Sequence, residues 1–199
     1  MARRKEQSAE TEQALKDAAR RLFAERGYLN TKITDITAAA GRAAGSFYNH
    51  FASKEELLQA LLKDFVADGD AAADQDEHRA DFTDPAAVRY HVRSYWGFAR
   101  RHWPTLRAMN QAALVNDEFA HLAARFAAEE RAELSDHLDG FAAAGLQLPS
   151  TPEASLAMMF LMVHGLLEAV EEGTVELTDP EAVDGLTRFI YRGLTGRDC

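Results

Sequence analysis

Ile33-Thr34-Asp35-Ile36-Thr37-Ala38-Ala39-Ala40-Gly41-Arg42-Ala43-Ala44-Gly45-Ser46-Phe47-Tyr48-Asn49-His50-Phe51 is the stretch that decides the fold. It reads as two short helices joined by a tight turn at Gly41. Ile33, Ile36 and Ala40 recur at spacings of three and four, which puts them on one helical face. Glycine is the favoured residue just past a helix end, where the backbone turns left-handed. After that turn Phe47 and Phe51 stand four apart and can pack inward, while Ser46, Asn49 and His50 point elsewhere. A short helix that is apolar inside and hydrogen-bonding outside suits a reader of the DNA major groove. Two core helices of an ordinary bundle would show the same apolar spacing.

The flanking residues favour the first reading. Residues 11–26 carry Leu15, Ala18, Ala19, Leu22 and Phe23 on one stripe, with Gly27 just beyond. Thr31 precedes the second helix and is a candidate cap. Ser53-Lys54-Glu55-Glu56 is a capping box that opens a fourth helix bearing Leu57, Leu58, Leu61, Leu62 and Phe65. Charge divides along the chain. Residues 1–54 hold ten Lys/Arg against six Asp/Glu, a net of +4, and the remainder holds 12 against 26, within a whole-chain net of −10. The basic excess thus sits with the motif, where phosphate would be met.

With these residues in place, residues 11–62 resemble the DNA-binding domain of TetR/AcrR-type transcriptional regulators. The pieces that carry the likeness are Leu22-Phe23-Ala24, Gly27-Tyr28, the 33–37 segment, Gly45, Tyr48, Phe51 and Ser53-Lys54. The resemblance covers about a third of the chain. It implies that Thr31, Lys32 and Thr34 face a phosphate strand. It places Arg42, Ala43, Ala44 and Ser46 at the tip and outer face of the recognition helix. Tyr48 and His50 would stand near backbone or base, and Lys54 would clamp a phosphate beside helix-end amides; Asn49, read from its outward position, would contribute to base reading with Ser46. Two positions depart from the family pattern. Arg42 stands where a small branched hydrophobe is usual, and Ala44 where Lys or a hydroxyl residue is common. Arg42 can pair with guanine, worth about 1–3 kcal/mol of discrimination, or bind a phosphate or an acidic neighbour. The Ala43-Ala44 pair offers only methyl contacts, so DNA shape would share in recognition.

Helix punctuation continues to the end of the chain. Asp84-Pro85, Pro104, Asn116, Thr151-Pro152 and Asp179-Pro180 each open a helix, the third running from Asn116 to near Gly145. Residues 68–83, rich in Asp and Ala, are expected to form an acidic loop. No period-two strand pattern is present. The expectation is an all-α chain of about nine helices. It comprises a flexible basic arm (1–8), a helix-turn-helix domain (9–54, motif about 32–51), a connecting helix (55–78), and a ligand-binding and dimerisation domain (79–199).

In that last part Leu156, Phe160, Val163, Leu167 and Val170 form one stripe, and Val183, Leu186, Ile190 and Leu194 another. A half-site reader needs two-fold symmetry. Leu156, Phe160, Val163, Leu167, Leu186 and Ile190 are therefore the expected contacts of a homodimer on a palindromic double-stranded operator. Tyr95, Trp96, Trp103, Met109, Phe126, Met159, Met162 and His164 are large, flexible or aromatic side chains suited to a small apolar or aromatic effector. Such an effector would act by binding the DNA-incompetent arrangement more tightly, with the fourth helix as the bistable element. No other cofactor is expected.

Other classes fit less well. Glu118 and His121 form one Glu-x-x-His pair, but a di-iron bundle needs two such pairs and two further carboxylates. No phosphate loop or nucleophile elbow occurs, so no enzyme is expected. A helical adaptor would explain the apolar stripes but not the basic first segment. Cys199 is the lone cysteine, the start lacks an apolar leader, and no 18-residue apolar run occurs, so a cytoplasmic protein without a membrane span is expected.

Overall fold

The computed structural model describes residues 2–73 and 79–199. Its elements are α1 (Ala2–Arg26), α2 (Ile33–Ala39), α3 (Ala44–Phe47), α4 (Lys54–Ala73), α5 (Pro85–Arg101), α6 (Trp103–Ala113), α7 (Asp117–Glu133), a 3-10 turn (Ser135–Leu138), α8 (Gly140–Ala143), α9 (Pro152–Glu171) and α10 (Asp179–Thr195). Among the described residues there are ten α-helices and no strand.

Three local expectations change. The amino-terminal arm is helical, because α1 runs from Ala2 without interruption. Residues 2–26 contain neither Pro nor Gly and are rich in Ala, Arg, Lys, Glu and Gln, all strong helix formers. The acidic segment begins as helix too. α4 extends through Ala73, carried by alanines across the single Gly69; residues 74–78 of the expected loop and connecting helix lie outside the described residues. The third long helix stops at Glu133, short of Gly145. There the His137 carbonyl accepts a hydrogen bond from the Phe82 N–H at 3.1 Å, a tie to another segment, while the chain winds into the 3-10 turn.

Helix starts follow the capping rules. Asn116 Oδ1 accepts from the Glu118 N–H, Thr151 Oγ1 from the Ala154 N–H, and Thr178 Oγ1 from the Glu181 N–H. Ser53 Oγ accepts from the Glu56 N–H, and the Glu56 carboxylate accepts from the Ala52 N–H, closing a box. At α2 the cap falls one residue later than expected: Lys32 is the N-cap, and its N–H donates to Asp35.

The chain divides into two compact units that do not follow chain order. One comprises residues 1–74 and 102–124, the other 75–101 and 125–199. α6 and the start of α7 therefore group with the amino-terminal helices, not with the rest of residues 79–199.

The first unit is built on α1. Leu15, Ala18, Ala19, Leu22 and Phe23 form its buried stripe, and Ile36, Phe47, Phe51, Leu57, Leu58 and Leu61 close over it from α2, α3 and α4. α6 packs on α1 and α4, burying Leu106, Ala108 and Met109. Lys16 and Arg20 of α1 pair with Asp64 of α4 at 3.0 and 2.7 Å. Gln111 of α6 reaches the turn after α1, where its Oε1 accepts the Tyr28 N–H at 2.6 Å.

In the second unit α10 lies along α5, and α9 packs on α10, α5 and the 3-10 turn. Trp96, Leu156, Leu167, Leu186 and Ile190 are core. The Trp96 indole N–H donates to Asp179 at 2.9 Å, Arg100 pairs with Asp179 and Glu171, and the Tyr191 hydroxyl donates to the Thr83 carbonyl. α9 is also long and apolar enough to cross a membrane by length and composition, with only 28% of its apolar window buried.

The Gln111 contact is testable. Gly27 has φ +80°, and a Cβ there would meet Gln111 Oε1 at 2.8 Å. Gln111→Ala leaves a partly buried amide without its acceptor and should lower unfolding stability by about 1–3 kcal/mol in urea. Gly27→Ala should cost about 1–2 kcal/mol for its left-handed backbone, beyond any clash. Combining the two substitutions should then cost less than the sum, because the clash is gone.

Candidate nucleic-acid interface

Phe47 and Phe51 are buried, and their ring centroids lie 5.6 Å apart. They fix the roll of the short α3 and so decide which side chains face outward. Gly41 takes φ +64°, and the Arg42 N–H returns to the Thr37 carbonyl at 2.9 Å. This left-handed exit turns the chain between α2 and α3. Arg42, Ala43, Ala44, Gly45, Tyr48 and Asn49 are exposed on α3 and its approaches, as are Lys32 and Thr34 at the start of α2. Tyr48 is 63% exposed and sets its ring edge-on to Phe47. Ser46 is half-buried, and its hydroxyl donates to the Ala43 carbonyl at 2.7 Å, which leaves its oxygen able to accept.

Three residues expected to touch DNA are occupied within the protein. Thr31 is 1% exposed and donates its hydroxyl to the Gly27 carbonyl at 2.7 Å. It shapes the turn before α2 and presents nothing outward. His50 has a side chain only 9% exposed, with Nδ1 3.9 Å from Glu12 of α1. The reason is register: His50 lies three residues beyond Phe47, on the inward half of the segment. Lys54 donates to the carbonyls of Tyr28 and Thr31 at 2.8 and 2.9 Å and lies 4.1 Å from the centre of the Tyr28 ring. Burial lowers its pKa from the ordinary lysine value, with Glu55 opposing. Its hydrogen bonds tie α4 to the turn before α2.

Glu55 completes that tie by accepting the Tyr28 hydroxyl at 3.0 Å. Burial pushes the Glu55 carboxyl up, but its helix-end N–H, Ser53, Tyr28 and Lys54 together hold it below its usual value. The Tyr28 phenol is held far above its usual value by burial first and by Glu55 second. The pattern Gly-Tyr with a later Ser-Lys-Glu was visible in the sequence, but not the pairing across the turn.

The basic excess is likewise partly internal. Lys16 and Arg20 serve Asp64, Arg21 donates to the Ala39 carbonyl, and Arg26 pairs with Asp35. Lys32 and Arg42 make no ion pair among the described residues, and both are exposed. An outward set of Lys32, Thr34, Arg42, Tyr48 and Asn49 offers two cations and three hydrogen-bonding groups, with the Ala43-Ala44 methyls between. That is the composition of a surface for phosphates and base edges.

The residues expected to meet an effector are divided. Trp103 and Met109 are buried in the first unit, and Tyr95, Trp96, Phe126, Met159, Met162 and His164 belong to the second. Trp96 is core, fixed by Asp179. Five of the six expected dimer contacts are core as well, and Phe160 is half-buried. Leu156, Val163, Leu167, Leu186 and Ile190 are each no more than 4% exposed, and Phe160 packs edge-on against Tyr95 at 5.5 Å. α9 is apolar on both faces, and the three-and-four spacing selected the face that enters its own core. The opposite face holds Met158 at 45% and Leu161 at 71% exposure, and α10 adds Phe189 at 68%.

Residues 15–61 match the profile of the bacterial regulatory proteins of the tetR family. Over 52 residues the chain is 48% identical to the transcriptional repressor KstR2 of Mycobacterium tuberculosis, covering 26% of each protein. Over 60 residues it is 45% identical to the transcriptional regulator TtgR of Pseudomonas putida, covering 30% of this chain and 29% of that protein. The matched segment thus spans little more than a quarter of these relatives. Across 95% of this chain the fold matches a transcriptional regulator from Saccharomonospora viridis solved in complex with choline, covering all of it, with a TM-score of 0.77 at 20% identity. Residues 15–61 of this all-helical chain are thus similar to the helix-turn-helix segment of the tetR family of bacterial regulatory proteins.

Proposed function

We propose that this chain is a DNA-binding transcriptional regulator that acts as a homodimer in the cytoplasm, represses from a palindromic operator, and is released by a small-molecule effector. The observation that carries the reading is the division of α3. Phe47 is fully buried while Arg42, Ala44, Tyr48 and Asn49 are exposed, inside the segment that matches the family. Repression follows the named function of KstR2. An effector site is supported by the choline complex of the structural neighbour. An enzymatic role finds no support in these relatives, which are regulators.

The second copy would cover the outward face of α9 and α10. Met158, Leu161 and Gly165 follow one another at spacings of three and four, and Gly185, Phe189 and Gly193 at spacings of four. An added Cβ at any of these three glycines would meet nothing within 4 Å, so a partner's backbone can approach closely. Arg188 and Arg192 are exposed on α10, and Glu168 is exposed on α9, so two copies related by a two-fold axis can oppose unlike charges. A second copy also accounts for a helix as apolar as α9 that is mostly unburied within one chain.

Purified protein should bind DNA from beside its own coding sequence in the presence of a scrambled competitor, with affinity falling steeply as salt rises. Equal, weak binding to both DNAs would contradict the reading. Lys32→Ala and Arg42→Ala should each weaken binding to operator and scrambled DNA alike and flatten the salt dependence by about one ion. A loss confined to the operator would make Arg42 a base reader. In sedimentation equilibrium, Leu161→Asp and Phe189→Asp should each yield a folded monomer. Phe160→Asp should instead lower unfolding stability, because it sets a carboxylate against the Tyr95 ring.

A further inference from the structure

We infer that Gln111, on α6, is a positioning residue for DNA binding: with Arg107 it fixes where α1 stops, and through the turn that follows it fixes where Lys32 stands. The inference rests on the regulator reading for its purpose, but its geometry lies wholly within the first unit.

The last regular bond of α1 runs from the Gly27 N–H to the Phe23 carbonyl at 3.0 Å. One residue further, a continuing helix would pair the Tyr28 N–H with the Ala24 carbonyl four residues back. Here α6 takes both halves of that bond. Gln111 Oε1 accepts the Tyr28 N–H at 2.6 Å, and Arg107 Nη1 donates to the Ala24 carbonyl at 3.5 Å. Arg107 and Gln111 are themselves four apart, so they stand one above the other on one face of α6. Gly27 makes room for the contact. Its backbone has left the helical region at φ +80°, and a Cβ there would meet Gln111 Oε1 at 2.8 Å and Nε2 at 2.9 Å.

Every polar group of Tyr28 is thereby engaged. α6 holds its N–H, while Lys54 of α4 donates to its carbonyl at 2.8 Å and Glu55 accepts its hydroxyl at 3.0 Å. Four residues on stands Lys32, the exposed N-cap of α2, with φ −99° and ψ 156°. The chain between them has little slack, because Thr31 is buried and donates its hydroxyl to the Gly27 carbonyl at 2.7 Å. A displacement of Tyr28 is therefore passed to Lys32, one of the two cations of the outward set. It follows that α6 reaches the helix-turn-helix segment by a path that does not run along α4. If α6 withdraws, Ala24 and Tyr28 are left to pair with each other, and Lys32 is drawn off its place.

Gln111→Met keeps the unbranched shape of the side chain and removes the acceptor. Binding to labelled DNA from beside the coding sequence is followed by fluorescence anisotropy across a salt series, with urea unfolding confirming that each variant is folded in the same buffer. Gln111→Met should weaken operator binding by about tenfold. It should also flatten the salt dependence by about one ion. Gln111 carries no charge, so a role confined to stability would not move that slope, whereas a misplaced Lys32 does. Lys32→Ala added to Gln111→Met should then change the slope no further. Gln111→Glu keeps an acceptor at the same reach and should hold the slope of the parent. Folded Gln111→Met with the affinity and slope of the parent would overturn the inference, as would a slope in Gln111→Glu as flat as that of Gln111→Met. Either result beside selective operator binding by the parent retains the regulator and removes the positioning role. A parent that binds operator and scrambled DNA alike removes both.

Discussion

One ammonium holds the helix-turn-helix segment in place. Lys54 opens α4, yet its hydrogen bonds go to two carbonyls of the turn that precedes α2, and its charge lies over the ring of Tyr28. The Tyr28 hydroxyl returns to Glu55, the next residue of α4. The first turn of α4 and the entry to α2 are therefore one hydrogen-bonded body. Half-burial strengthens each of these contacts, because less water competes for them. α3, only four residues long, cannot hold its own orientation; it inherits one from Phe47 and Phe51 in the core beneath and from the α2 that Lys54 fixes. Any force that displaces α4 along its axis must carry the α2 entry with it or break this joint.

α9 shows how one helix serves two solvents. Its stripe from Leu156 to Leu167 closes the core against α5 and α10, and the opposite stripe of Met158 and Leu161 remains outside. A monomer gains nothing from the second stripe and risks aggregation by it. The symmetric partner proposed above would turn the same feature into a contact, with the glycines of both helices leaving room for close approach.

Much of this was legible in the sequence, for reasons that can be named. The helix-turn-helix was readable because its determinants are local: a glycine with positive φ, apolar spacing of three and four, and a Ser/Glu box. The caps at Asn116, Thr151 and Thr178 follow from the same short-range chemistry. What escaped reading depends on pairs far apart in the chain. Thr31 and Lys54 resemble outward polar residues until the turn carbonyls they serve are known. Phe160 belongs to a stripe whose orientation only α5 decides, through Tyr95. Gln111 gives no sign that its amide ends beside Gly27, 84 positions earlier.

The discontinuity of the first unit bears on modularity. Exchange of DNA-reading heads between related regulators treats the head as a continuous cassette, cut once near residue 54 or 78. Here the head's own core includes α6, which arrives only after α5 has been laid down in the other unit. A cassette cut from the amino-terminal residues alone would leave behind Leu106 and Met109 and the Gln111 amide that caps the Tyr28 turn. The transplantable piece is a spliced set of two segments, α1 to α4 together with α6. Recombination between such proteins is thus constrained at α6, a helix outside the helix-turn-helix segment.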